Sequence, residues 1–185
     1  YNELNSFLNK NLFSDIGIYR FLKTPYEQNN WLAKSASRID YMSSKLFSIN
    51  NKGLINNKFY GLVKSSGRVD IQLLLKSFRN YCIKNNKIIK EKFNYSDLII
   101  NKNSVIFKNI TANKIIFCEG CQGIKNPFFN NINLKPTKGE ILNIYSERLR
   151  LKSIIHAGFS IVPIGEDYYS VGATYDWDNI KNNPN

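Results

Sequence analysis

Few side chains in this sequence can do covalent or acid–base chemistry. Cys118 and Cys121 form a C-x-x-C directly after the apolar run Ile115-Ile116-Phe117. Backbone amides beyond a strand end would lower a thiol pKa there, as in a redox dithiol, and the pair is also half of a zinc-ligand set. Cys82 and His156 bring the available ligands to four. Against a metal, no second pair with ligand spacing exists, and Cys82 falls on the apolar face of a helical pattern, where a cysteine packs as a small hydrophobe. The reading is therefore no metal and no catalytic residue among them. His156 is the sole histidine and no G-x-S-x-G elbow precedes it, so a structural or pocket-lining role suits it better than that of a general base. Gly120 and Gly123 make a G-x-x-G, and glycines there let a phosphate or a ring approach the backbone. The full G-x-G-x-x-G fingerprint and the P-loop are absent from the sequence. Arg20, Arg68 and Arg148 can each clamp a carboxylate or stand as solvated charges.

The elements that must position these residues are read from period and punctuation. Leu4, Phe7, Leu8 and Leu12 have helical spacing. Ile16–Phe21 reads as a strand, and Thr24-Pro25 with Glu27 opens a helix to about Lys34. The stretch 39–47 is expected to be a short helix, and Tyr60–Val63 a strand after the loosely alternating 53–63. Lys64–Gly67 is a turn. Asp70 caps the clearest helix, with Leu73, Leu74, Phe78, Tyr81 and Cys82 on one face and an end near Asn85-Asn86. Residues 88–93 are expected to follow as a strand, and 98–100 with 104–107 as a hairpin around Asn101-Lys102-Asn103. The run 115–118 reads as a strand buried on both faces. From 134 to 177 the pattern is most explicit: a Pro136/Gly139 turn, an extended run 140–145, and an exposed charged connection 147–152. Two strands follow, 159–163 and 168–174, joined at Gly165-Glu166-Asp167. The class is α+β, a mixed and largely antiparallel sheet flanked by helices.

Composition bounds the rest. The 185 residues are 43% hydrophobic and 14% aromatic, enough for a real core and too apolar for disorder. The net charge of +12 admits a basic module for nucleic acid or an acidic partner. The basic residues are nonetheless spread along the chain, and A/T-rich coding favours the same Lys, Asn, Ile, Tyr and Phe, so nucleic acid is the weaker reading. No apolar run reaches the roughly 18 residues of a membrane span. Three cysteines are too few for a disulfide scaffold, so a reducing, cytoplasmic setting is expected. The start at Tyr1 and the polar end suggest an excised piece of a longer protein.

Several stretches together resemble the D-amino-acid oxidase and glycine oxidase family of FAD-dependent oxidoreductases. Gly67-Arg68-Val69-Asp70 is similar to that family's G-x-V-D helix lead-in, and 112–120, ANKIIFCEG, to the apolar strand that ends beside the cofactor. Pro136-x-Lys138-Gly139-Glu140 resembles the P-x-x-G-E/Q motif. Phe159-Ser160-Ile161-Val162-Pro163 with Val171-Gly172-Ala173-Thr174 resembles the Y-I-V-P … V-G-A-T pair. The likeness runs, with gaps, from about 16 to 177. It lacks the family's N-terminal Gly-rich pyrophosphate loop and its C-terminal part, with the arginine that pairs with a substrate carboxylate.

The resemblance implies that 1–66 and 134–177 are substrate-domain-like, that 67–133 is FAD-domain-like, and that 178–185 is a tail. It implies that Glu91, Lys92 and Phe93 meet the adenosine end of FAD through backbone groups, with Glu119 and Gly120 beside the cofactor. Ser160 takes a pocket-lining position that is often tyrosine in the family, and His156 lines the same substrate pocket. The implied reaction of the parent protein is hydride transfer from an amine or amino-acid Cα–H to flavin N5, with O₂ or another acceptor reoxidising the flavin. The isolated segment is expected to be inactive and not to retain FAD.

Overall fold

Thr24 fixes where the first long helix begins. Its side chain accepts a hydrogen bond from the Glu27 N–H (3.2 Å), and the Glu27 carboxylate accepts one from the Thr24 N–H (3.0 Å). That capping box, with Pro25 in the first turn, satisfies donors that the helix itself cannot. Asp70 caps the second by accepting from the Leu73 N–H at 2.9 Å. The computed structural model describes residues 2–51, 53–54 and 58–178. In chain order its elements are α1 (Asn2–Leu8), β1 (Phe13–Asp15), β2 (Ile18–Leu22), α2 (Pro25–Ala36), β3 (Met42–Ser48), β4 (Phe59–Val63), β5 (Gly67–Val69) and α3 (Ile71–Lys84). There follow β6 (Leu98–Ile100), β7 (Val105–Phe107), β8 (Ile110–Ala112), β9 (Ile141–Tyr145), β10 (Ile154–His156), β11 (Ser160–Gly165) and β12 (Tyr168–Gly172), with short 3₁₀ turns between β5 and β9. The class is α+β with a mixed, mainly antiparallel sheet and flanking helices. Among the described residues no helix is long and apolar enough to cross a membrane.

The chain forms two units, residues 1–87 with 139–175, and 88–138 with the residues from 176 on. The first holds a seven-stranded sheet in the order β3-β4-β2-β10-β11-β12-β9. Every neighbouring pair is antiparallel except β2 and β10, which run parallel. The hairpin expected at 165–167 forms, with Glu166 and Asp167 both at positive φ (49° and 59°). That two-residue geometry matches the right-handed twist of the strands it joins. Helix α2 lies on the sheet through Trp31. A Cβ on Gly61 would run into the indole, so glycine lets the ring rest on β4. The Trp31 Nε1–H donates to the Ser43 carbonyl at 3.0 Å. Tyr169 is 2% exposed, and its hydroxyl accepts from the Leu151 N–H at 3.2 Å.

Three expectations fail in this unit, each for a local reason. Residues 39–47 do not form a helix: β3 pairs with β4, and a bulge between Met42 and Leu46 sets three residues, 43–45, against Leu62 alone on the partner. The bulge breaks strand alternation and leaves Met42 and Leu46 at helical spacing. The connection 147–152 is not simply exposed. Leu149 belongs to the core, and its carbonyl accepts from the Asn51 side-chain amide at 2.5 Å. Helix α1 stops before Leu12, which is buried in its own right and donates its N–H to the Asn5 side chain at 2.9 Å.

The second unit is a three-stranded antiparallel sheet, β6-β7-β8, and the hairpin expected around 101–103 is its first turn. Two strands expected here are not formed. Residues 88–93 run without a ladder, and so do 115–118, where Ile116 is 84% exposed. Both have strand-like composition, but a strand also needs a neighbour, and no described strand pairs with them. Aromatic rings hold the unit instead. Phe93 stacks on Phe107 (4.4 Å), Phe117 on Phe128 (5.8 Å), and Phe93 meets Phe117 edge-on (5.8 Å). Of the expected tail, only Asp178 is among the described residues.

Candidate functional site

The predicted cofactor residues all lie in the second unit, and Glu91 and Phe93 come together in one cleft. It has a volume of about 260 Å³ and is walled by Ile89, Glu91, Phe93, Phe107, Lys108 and Ile110. The turn between β7 and β8 aims Lys108 at Glu91, with Lys108 in the left-handed region (φ 53°). Its Nζ is 2.6 Å from Glu91 Oε2 and 5.5 Å from the Phe107 ring centre. The hydrogen bond to Glu91, and then its charge, raise the lysine pKa, so the ammonium form is held. Lys92 is exposed and does not line the cleft. Residues 88–93 make no backbone hydrogen bond among the described residues. Their N–H and C=O groups are therefore open to a ligand, on a wall whose stacked pair Phe93–Phe107 offers an aromatic surface.

Glu119 sits in a different setting. Its Oε1 accepts from the Tyr95 hydroxyl at 2.5 Å, and its Oε2 from the Asn126 amide at 2.7 Å. Asn126 has no exposed surface, and its own Oδ1 accepts from the Phe128 N–H at 2.9 Å. The hydrogen bond to Glu119 and some desolvation push the Tyr95 pKa above 10.0. Both carboxylate oxygens are thus used inside the unit, which leaves Glu119 to pin the 119–129 turn. Gly120 beside it has φ 55°, and nothing lies within 4 Å of where a Cβ would stand. A flat group can approach its backbone. Sequence had no means of finding Asn126; an asparagine before Pro127 reads as an ordinary turn residue.

The predicted pocket residues lie in the first unit, on the seven-stranded sheet. His156 and Ser160 are direct register partners on β10 and β11, and His156 Nδ1 is hydrogen-bonded to Ser160 Oγ at 3.0 Å. The same row continues to Arg20 on β2 and Gly61 on β4 in one direction, and to Gly172 on β12 in the other. Partners in one row share a face, so Arg20, His156 and Ser160 emerge together; at the ends of the row Trp31 rests on Gly61, and Glu140 and Ile141 close on Gly172. Arg68 faces Ser14 between β1 and β5, and Arg148 lies exposed within the 147–152 connection.

Cys118 and Cys121 are exposed free thiols, and Cys82 is half-buried on α3. Among the described residues no three His, Cys, Asp or Glu side chains converge as metal ligands would.

No family model matches this sequence. The solved structures that share its fold include two glycine oxidases. A glycine oxidase from Bacillus cereus ATCC 14579 superposes with a TM-score of 0.67 at 19% identity, over 97% of this chain and 54% of that one. A glycine oxidase from Geobacillus kaustophilus gives 0.71 at 15% identity, over 97% of this chain and 53% of that one. The chain spans about half the length of each, and identities this low establish likeness of fold.

Proposed function

We propose that this chain is the middle part of an FAD-dependent oxidoreductase that oxidises an amine or an amino acid. The observation that carries the reading is that nearly the whole chain, 97%, superposes on two glycine oxidases in which it accounts for about half the length. The motifs at 67–70, 112–120, 136–140 and 159–174 support it independently of that superposition. In this reading 67–133 is flavin-domain-like, and 1–66 with 134–177 is substrate-domain-like.

The residues fit such a cofactor in part. The open backbone of 91–93 and the Phe93–Phe107 wall suit the adenosine end, and Gly120 leaves room for a planar group. A phosphate cradle is not in the sequence and would have to come from additional chain. When bound, the flavin supplies the hydride acceptor for the substrate Cα–H. The chain's own part is to shape the pocket. Ser160, fixed by His156, presents a small polar group where a tyrosine would close the space. Glu119 acts by holding its turn.

The test is an FAD titration followed by flavin absorbance and fluorescence. It uses the 185-residue chain and a longer chain that includes upstream sequence with a Gly-rich loop. Stoichiometric binding by the longer chain alone is expected. A yellow stoichiometric complex of the 185-residue chain overturns the need for an added cradle, and no binding by either overturns the flavin reading.

A further inference from the structure

We propose that the cleft between α2 and the sheet of the first unit binds a small organic carboxylate with an apolar body. This does not depend on the flavin reading. The cleft has a volume of about 380 Å³, inside the roughly 300–1,000 Å³ typical of small-molecule sites. Its floor is apolar, made by Leu22, Trp31, Met42 and Val63. Its polar groups are Arg20 from β2 and, from one side of α2, Asn30 and Lys34 at i and i+4.

The charges are what select the ligand. Among the described residues neither Arg20 nor Lys34 has an acidic partner at ion-pair distance, and neither makes a side-chain hydrogen bond. The one acid at the cleft, Glu27, is committed to the Thr24 N–H in the capping box. Arg20 and Lys34 outnumber Glu27, so an excess of positive charge and an amide border an apolar hollow. A cation there favours an anion, and the guanidinium offers a carboxylate a planar fork. The apolar floor in turn favours a hydrocarbon chain or ring over a bare inorganic anion. Gly61 contributes by having no side chain: Trp31 sits down on β4 and forms the floor instead of filling the hollow.

Trp31 is also the reporter. The sequence has two tryptophans, so Trp177→Phe leaves Trp31 as the sole tryptophan, read by excitation at the red edge where tyrosine does not absorb. Hexanoate is titrated into this variant of the full chain, with hexanol and acetate in parallel. The expected result is a saturable hexanoate signal, with both controls weaker by roughly tenfold or more because each lacks one half of the match. Arg20→Met and Lys34→Met are each expected to weaken hexanoate on the order of tenfold. Added salt is expected to weaken it further. If Arg20→Met fails to keep the wild-type circular dichroism spectrum, Arg20→Gln takes its place. No saturable hexanoate signal, equal affinity for hexanol, or unchanged affinity in both charge variants overturns the proposal.

Discussion

The two units meet the same requirement, pairing the backbone and covering apolar surface, by different means. In the first, seven strands share one ladder, and buried side chains such as Trp31, Ile155 and Tyr169 pack on it. In the second, three-residue strands account for little of the backbone, and 88–93 and 115–118 stay outside any ladder. Cohesion there passes to side chains, a run of stacked and edge-on rings and one carboxylate shared between Tyr95 and Asn126. A sheet that closes its own hydrogen bonds has little left to offer a ligand along its interior strands. A unit held by side chains keeps backbone donors and acceptors free, and it is here that the candidate cofactor residues lie.

That contrast can be broken by substitution. Trp31→Ala should cost about 3–5 kcal/mol, measured by urea unfolding. Amide exchange should rise across β2 and β4 while β6 and β7 keep their protection; equal loss in both would mean the units do not stabilise separately. Asn126→Ala should cost about 1–3 kcal/mol, since it strands Glu119 Oε2 and the Phe128 N–H. The faster exchange should be confined to 119–129 and the rings around it. Thr24→Ala should cost about 1 kcal/mol and fray only the start of α2, visible as exchange at Glu27 and Gln28.

The smallest effect is a matter of pH. The folded Tyr95 pKa lies above the unfolded value of 10.0, so folding favours its protonated form. That contribution is complete below pH 10.0 and is lost as pH rises through the raised folded value. Stability of the second unit should therefore fall in alkali, and Tyr95→Phe should remove that part of the fall. Tyrosinate absorbance of the wild type and the variant, read beside amide exchange at 119–129, checks the sign.

Much of the fold was legible where local chemistry and long-range pairing agree. Thr24, Pro25 and Glu27 announce α2, Asp70 announces α3, and Gly165-Glu166-Asp167 announces the β11–β12 turn, because each acts within a few residues of itself. What was not legible depended on partners. The bulge in β3 exists only against β4, and it made a strand resemble a helix. Residues 88–93 and 115–118 have strand composition but no neighbour. Strands of three residues, such as β1, β5, β8 and β10, are too short to show a period. Of the candidate site residues named from the resemblance, Glu91 and Phe93 share a cleft, and His156 and Ser160 share a row. Arg20, weighed in the sequence as a possible clamp, reaches that row through the parallel β2–β10 pairing, which no local pattern encodes.

One consequence concerns the behaviour of the molecule in bulk. Strand β9 closes one side of the seven-stranded sheet, and all five of its residues are exposed, Ile141 and Leu142 by more than 60%. Its outer edge is a template on which a strand of another molecule can align. The formal charge of +12 opposes that approach between copies. The opposition reaches only as far as ions allow, about 10 Å at 0.1 M salt and about 3 Å at 1 M. Colloidal stability should therefore decline with ionic strength while the fold itself is intact, and dilute buffer is the milder storage condition.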